Sequence, residues 1–338
     1  MSVIETNQLT KVFPGNIRAV DGIDFEVKAG EIFGFLGPNG AGKTTTIKML
    51  NTLIRPTSGT AVVTGFDILK DPAEIRKNIG YVAQDVGVDE YATGRENLTL
   101  YGHFYRLDRR TIKQRVKEIF ELVDLTGFED KRVSTYSGGM RKRLDIAMGL
   151  IHQPQLIFLD EPTVGLDPQT RTHIWDYIHN LAKVMGVTLF LTTHYMEEAD
   201  HLADRIAIID LGKIIAIGTP NELKQAIGGD VVTLTPCEIG DDQCDEFIRK
   251  TQSILSGKPF VLGTQPTDGE LAVYVNKGES AAPNIMRLLA NEGIEVESLS
   301  VSRPSLDDVF LKYTGRTIRA QEGTATTYAQ IKRKRDRR

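Results

Sequence analysis

The run Gly37-Pro38-Asn39-Gly40-Ala41-Gly42-Lys43-Thr44 constrains this chain more than any other stretch. It fits the spacing G-x-x-x-x-G-K-[ST], and it stands between an apolar, strand-like Ile32–Leu36 and a helix-like Thr45–Leu50. Glycines 37, 40 and 42 let the backbone curl so that successive N–H groups face inward, while the helix that follows presents the positive end of its dipole. A loop of this kind is suited to the phosphates of a nucleoside triphosphate. Lys43 would reach the β- and γ-phosphates, Thr44 would ligate Mg²⁺, and Thr45 joins the nucleotide-binding set at the helix start. A strand, a glycine loop and a helix in this order set an α/β fold.

Further along, Leu156-Ile157-Phe158-Leu159-Asp160-Glu161 reads as a buried strand that ends in two acids. Asp160 can hold Mg²⁺ through water, and Glu161, one residue further out, is placed to orient and deprotonate an attacking water. Between the two motifs, Tyr136-Ser137-Gly138-Gly139-Met140-Arg141 opens a helix-like stretch. There the free N–H groups, a hydroxyl and a helix N-terminus make a second anion-binding device. Gln84 follows the strand-like Ile79–Ala83, and His194 follows the strand-like Val187–Thr192, at the sheet end where α/β folds bind ligands. Taken singly, adjacent acids can be a polar strand end and a histidine an ordinary loop residue. Their order along one chain is what carries the argument.

That ordered set, with Gly165-Leu166-Asp167 after the acids and Thr193 before the histidine, closely resembles the ATP-binding subunit of ABC transporters over about residues 1–220. The resemblance implies a P-loop NTPase core of ABC type with antiparallel β and helical subdomains, the helical one over about 86–150. It implies that Phe13 stacks on adenine, that Gln84 lies near Mg²⁺ and the water, and that His194 contacts the γ-phosphate. Ser137 and Gly139, with Gly138 between them, would touch the γ-phosphate of ATP bound to the other subunit, and Asp167 would join the two halves. Tyr136 departs from the leucine common at that position, leaving the phosphate-contacting residues intact. The implied machine is a homodimer, or a pairing with a second nucleotide-binding subunit, that closes on two ATP molecules and drives a separate permease.

A second domain is expected over 230–302, as strand (Val231–Thr235), helix (Asp242–Leu255), strand (Pro259–Leu262), strand (Glu270–Val275), helix (Ser280–Glu292) and strand (Ile294–Val301). This βαββαβ order is compatible with a small ferredoxin-like α+β domain. Next, 303–315 reads as a C-terminal helix in which Ser305 and Asp308 stand at capping-box spacing. Its Pro304-Ser305-Leu306-Asp307-Asp308-Val309-Phe310 resembles the end of the daunorubicin/doxorubicin-resistance type of exporter ATPase, which implies export of drugs, antibiotics or lipids by the permease. The tail, 316–338, ends in a basic run and reads as solvated and disordered, with anionic lipid as its second reading and RNA its third.

No stretch approaches the roughly 18–20 apolar residues that span a bilayer, so a transport path would lie on another polypeptide. A formal net charge of −4 makes nucleic acid an unlikely partner, and the chain's two cysteines give neither a zinc quartet nor a disulfide framework. With no signal-like start, the expected location is the cytoplasmic face of the membrane, peripheral through the permease. The competing reading is a stand-alone regulatory ATPase whose small domain binds a ligand. Co-purification of a multi-span membrane protein separates the two.

Overall fold

The computed structural model describes residues 1–236, 241–267 and 269–314, without the side chains of 241–243 and 245; Cys237, residue 315 and the basic tail lie outside the described residues. The chain opens with β1 (Ser2–Phe13), which turns back into β2 (Ile17–Ile23), and β3 (Glu26–Lys28) pairs with the start of β1. Next come β4 (Ile32–Leu36) and α1 (Lys43–Leu50), flanking the glycine loop. β5 (Ser58–Val63) and β6 (Phe66–Asp67) complete a five-stranded antiparallel sheet in the order β2-β1-β5-β6, with β3 beside β1. α2 (Pro72–Asn78) and β7 (Ile79–Val82) lead into a helical region of α3 (Gly94–Phe104), α4 (Arg109–Leu122) and α5 (Gly138–Met148).

The α/β alternation then resumes with β8 (Leu156–Asp160), α6 (Pro168–Met185), β9 (Thr188–Thr193), α7 (Met196–Leu202) and β10 (Arg205–Asp210). β11 (Lys213–Gly218) returns through Leu211 and Gly212, both at positive φ as a two-residue hairpin turn requires. The resulting six-stranded sheet runs β11-β10-β4-β9-β8-β7, and its strands from β10 to β7 are parallel.

Side chains of the parallel strands alternate between two cores, because successive residues of a strand face opposite ways. Ile157, Leu159, Leu189 and Leu191 pack toward α3–α6, whereas Phe33, Phe35, Phe158 and Phe190 pack toward the antiparallel sheet. With Phe25 these phenylalanines form a cluster whose ring centroids lie 5.4–6.0 Å apart. Helix starts follow local chemistry. Thr93 and Glu96 close a capping box at α3, Asp108 caps α4, and Asp167 caps α6 with Pro168 just inside.

Two compact units divide the chain, Met1–Ile217 and Gly218 onward. The second contains α8 (Pro220–Gln225), β12 (Asp230–Pro236), α9 (Asp241–Leu255), β13 (Val261–Thr267), β14 (Glu270–Val275), α10 (Gly278–Asn291), β15 (Val296–Ser302) and α11 (Leu306–Thr314). Its four-stranded sheet is ordered β13-β14-β12-β15 with antiparallel neighbours, the interleaved arrangement of a ferredoxin-like fold. The third segment expected from sequence, Pro259–Leu262, falls early: β13 begins at Val261 and runs on through Gly263 and Pro266. At the sheet's edge a strand tolerates residues that a central one rejects. α11 starts at Leu306 rather than at 303, because Ser305 caps it: its N–H and Oγ donate to Asp308 Oδ2, and Asp308 N–H donates back to Ser305 Oγ. No helix among the described residues is long and apolar enough to cross a membrane.

Candidate functional site

Three neighbours confine the glycine loop. A Cβ at Gly37 would lie 2.2 Å from the Ile209 carbonyl oxygen, and one at Gly42, whose φ is +109°, would lie 2.4 Å from that of Ala19. Gly37 N–H donates to Thr193 O at 3.1 Å. The loop is thus held between β10, β9 and β2, and only glycine allows those approaches. Through Ala19 the β1–β2 hairpin touches the loop, and Phe13 closes that hairpin at its turn, 37% exposed, with Lys11 Nζ 5.3 Å from its ring centroid.

Lys43 is buried, and its Nζ donates to the carbonyls of Gly37 (2.8 Å) and Pro38 (3.1 Å) while lying 3.1 Å from Glu161 Oε1. The other oxygen of Glu161 lies 3.2 Å from His194 Nδ1. Burial pushes the Glu161 carboxyl up, but the hydrogen bond from His194 and the charges of Lys43 and His194 outweigh it, holding it below the usual carboxylate range. Its backbone sits at φ +50°, a conformation that costs a side-chain-bearing residue about 1–2 kcal/mol. Glu161 N–H is secured by both the carbonyl and the Oγ1 of Thr192, each at 3.1 Å.

Asp160 is buried beside it and accepts from Thr192 Oγ1 (2.6 Å) and Thr44 Oγ1 (3.2 Å). One hydroxyl and one carboxylate in contact suit Mg²⁺, which binds through few protein oxygens and keeps its waters and the substrate's phosphates. Among the described residues no group of three or more His, Cys, Asp or Glu is placed to hold a metal ion on protein ligands alone. Gln84 is exposed just past the end of β7.

The structure therefore gathers Lys43, Thr44, Asp160, Glu161 and His194 into one cluster. Ser137, Gly138, Gly139 and Asp167 stand elsewhere. They line a cavity of about 680 Å³ with Thr170, and no residue of the glycine loop lines it. Ser137 caps α5, accepting from Met140 N–H at 3.3 Å. Asp167 accepts from Thr170 Oγ1 (2.6 Å) and N–H (2.9 Å), bonds that hold its carboxyl below the usual range.

Two elements escaped the sequence reading. Thr192 anchors both acids, and its signal was only a threonine at the end of an apolar strand. Glu198 on α7 is fully buried, accepting from Thr163 Oγ1 (2.7 Å) and Trp175 Nε1 (2.9 Å), and so ties the loop after Glu161 to α6 and to the helix after His194. Burial pushes its carboxyl well up, against hydrogen bonds from Thr193, Thr163 and Trp175.

Comparison with known proteins gives a consistent picture. Residues 20–164 match the family described as ABC transporter, and residues 218–314 match the one described as ATP-binding protein DrrA1-3-like, C-terminal domain. The chain is 43% identical over 312 residues to the daunorubicin/doxorubicin resistance ATP-binding protein DrrA of Streptomyces peucetius, covering 92% of each. It is 38% identical over 320 residues to the linearmycin resistance ATP-binding protein LnrL of Bacillus subtilis (strain 168), covering 94% of this chain and all of that one. Among solved structures, cbiO1 from Clostridium perfringens, part of the ABC transporter complex cbiONQ, matches with a TM-score of 0.62 and 27% identity over 67% of this chain and 93% of that one.

Proposed function

The chain belongs to the ATP-binding subunits of ABC transporters, and from that premise we propose that it is the motor of an exporter whose cargo is a drug, antibiotic or lipid carried by a separate permease. Two nucleotide-binding subunits close around two ATP molecules, and hydrolysis releases them. The chain works from the cytoplasmic face of the membrane, attached through the permease. Relatives named for daunorubicin/doxorubicin and linearmycin resistance, and the match over 218–314, support this cargo class.

One observation carries the assignment of roles: Glu161 is held between Lys43 and His194 beside the Thr44–Asp160 contact. The N–H groups of Gly37 to Thr45 and the Lys43 ammonium bind the phosphates, and Phe13 faces the base. Thr44 and Asp160, with Gln84, hold Mg²⁺, which supplies positive charge against the phosphate oxygens when bound. Glu161, kept ionised by its neighbours, orients the attacking water and takes its proton, and His194 fixes the carboxylate's second oxygen. Ser137 and Gly139 complete the γ-phosphate contacts of the partner's ATP.

Glu161→Gln is expected to keep ATP binding, to slow turnover by roughly 10²–10⁴-fold and to accumulate an ATP-bound dimer visible by light scattering. Hydrolysis near the parent rate would mean that Glu161 is not the base. Lys43→Ala differs in losing nucleotide binding itself, measured by titration, because it removes the charge facing the phosphates.

A further inference from the structure

We propose that Lys142 and Asp145, which have no part in the chemistry above, form a latch: a buried ion pair on α5 that grips the loop bearing Gln84 at both ends and so sets that glutamine's position relative to Ser137 on the same helix. The inference rests on the reading of Gln84 as a residue near Mg²⁺ and the attacking water.

Both side chains are buried, 3% and 6% exposed, with Nζ and Oδ2 3.4 Å apart. Each also holds a backbone group outside the helix. Lys142 Nζ donates to the Ala83 carbonyl at 3.3 Å, and Asp145 Oδ1 accepts from Gly87 N–H at 3.1 Å. Ala83 immediately precedes Gln84 and Gly87 follows three residues after it, so the two contacts bracket the glutamine. Their polarity also matters. The cation meets a carbonyl and the anion meets an N–H, so sliding the loop would oppose like partial charges. A second tie, Arg141 to Glu90 at 2.7 Å, is more exposed and correspondingly weaker.

Buried ion pairs are a poor route to stability, since apolar residues of similar volume often hold a fold as well or better. What this pair supplies beyond packing is its two grips on the loop. Gln84 serves the ATP held by its own chain, whereas Ser137 serves the partner's ATP, so the latch ties together the two sites of the proposed dimer. Lys142 and Asp145 are positioning residues, acting through Gln84.

The test is non-additivity in the full chain. Lys142→Met/Asp145→Leu replaces the pair with apolar residues and is expected to lower kcat about tenfold, with KM for ATP within about twofold of the parent. Gln84→Ala alone should also lower kcat. Combined, the three substitutions should be no slower than the slower parent, because residues acting through one group do not add their costs. Multiplying costs, or a parental kcat in the apolar pair, would overturn the latch while leaving the roles of Glu161 and Gln84 standing. No effect of Gln84→Ala alone would instead sink the assignment of Gln84, and the latch with it. Should the apolar pair fail to fold, Gly87→Pro removes the N–H donor from the loop side. The proline ring carbon then stands where the hydrogen pointed at Asp145 Oδ1, so the loop is pushed off that grip, and the same non-additivity with Gln84→Ala is expected.

Discussion

Glu198 shows what one buried carboxyl does to the pH response of the fold. Its pKa stands above the ordinary 4.5, chiefly through burial, so the folded chain holds this proton to higher pH than the unfolded chain does. The associated stability is complete below the unfolded value and is lost as pH rises through the folded one. Glutamine keeps an acceptor for Thr163 and Trp175 and carries no titrating proton. Glu198→Gln should therefore melt with the parent near pH 4 and above it at pH 8, by about 2–4 °C for each kcal/mol recovered. A melting difference independent of pH would show that folding leaves the Glu198 pKa unraised. Glu161 behaves oppositely: its depressed pKa gives stability that is present above the ordinary carboxylate range and lost as pH falls through the folded value.

Among the elements, the start of β12 depends on a glycine. Gly229 has φ +73°, and a Cβ there would fall 1.9 Å from the Val275 carbonyl oxygen, where the first β12–β14 pair, Asp230 with Val275, forms. Gly229→Ala should push that end of the ladder open, and amide exchange in Asp230–Val232 and Tyr274–Val275 should accelerate at least tenfold; unchanged protection would count against this account of the sheet. The same scale shows what the sequence could reveal. Elements with strong local signals are legible: the glycine loop, the apolar β8 and β9, and the capping box at Ser305; from sequence Asp167 is expected only as a residue joining two halves, and its capping of α6 is a finding of the structure. β13 was misplaced because Gly263 and Pro266 argue against a strand until its edge position is known. α10 begins at Gly278, two residues before its expected start at Ser280, with Pro283 inside the helix. Lys142 and Asp145 were invisible for another reason. Charges three apart on a helix normally mark a solvated face, and only tertiary burial tells this pair from a surface one.

For the whole molecule, the cavity lined by Ser137–Gly139 and the phosphate cluster share no residue, which is the separation that the proposed clamp, with two different half-sites on one chain, requires. In the proposed clamp each ATP meets the glycine loop of one chain and the Ser137–Gly139 run of the other. Ser137→Arg adds bulk and charge to that surface and also removes the cap of α5, a loss of about 1 kcal/mol that leaves most of a domain's stability intact. It should bind ATP as a monomer and fail to dimerise, while Lys43→Ala fails to bind. Mixing the two variants makes the geometry testable. The mixed dimer concentrates both lesions in one site and leaves the other whole, so with random pairing roughly a quarter of the parental sites are intact and activity should return toward that level. If turnover needs both sites intact, activity does not return, and the geometry is then read from an ATP-bound mixed dimer, which neither variant forms alone. A self-sufficient site within one chain predicts neither recovery nor an ATP-bound mixed dimer, and it predicts a rate per chain that stays constant on dilution to nanomolar protein. Either result would dismantle the clamp while leaving the fold and the Lys43–Glu161–His194 cluster as described.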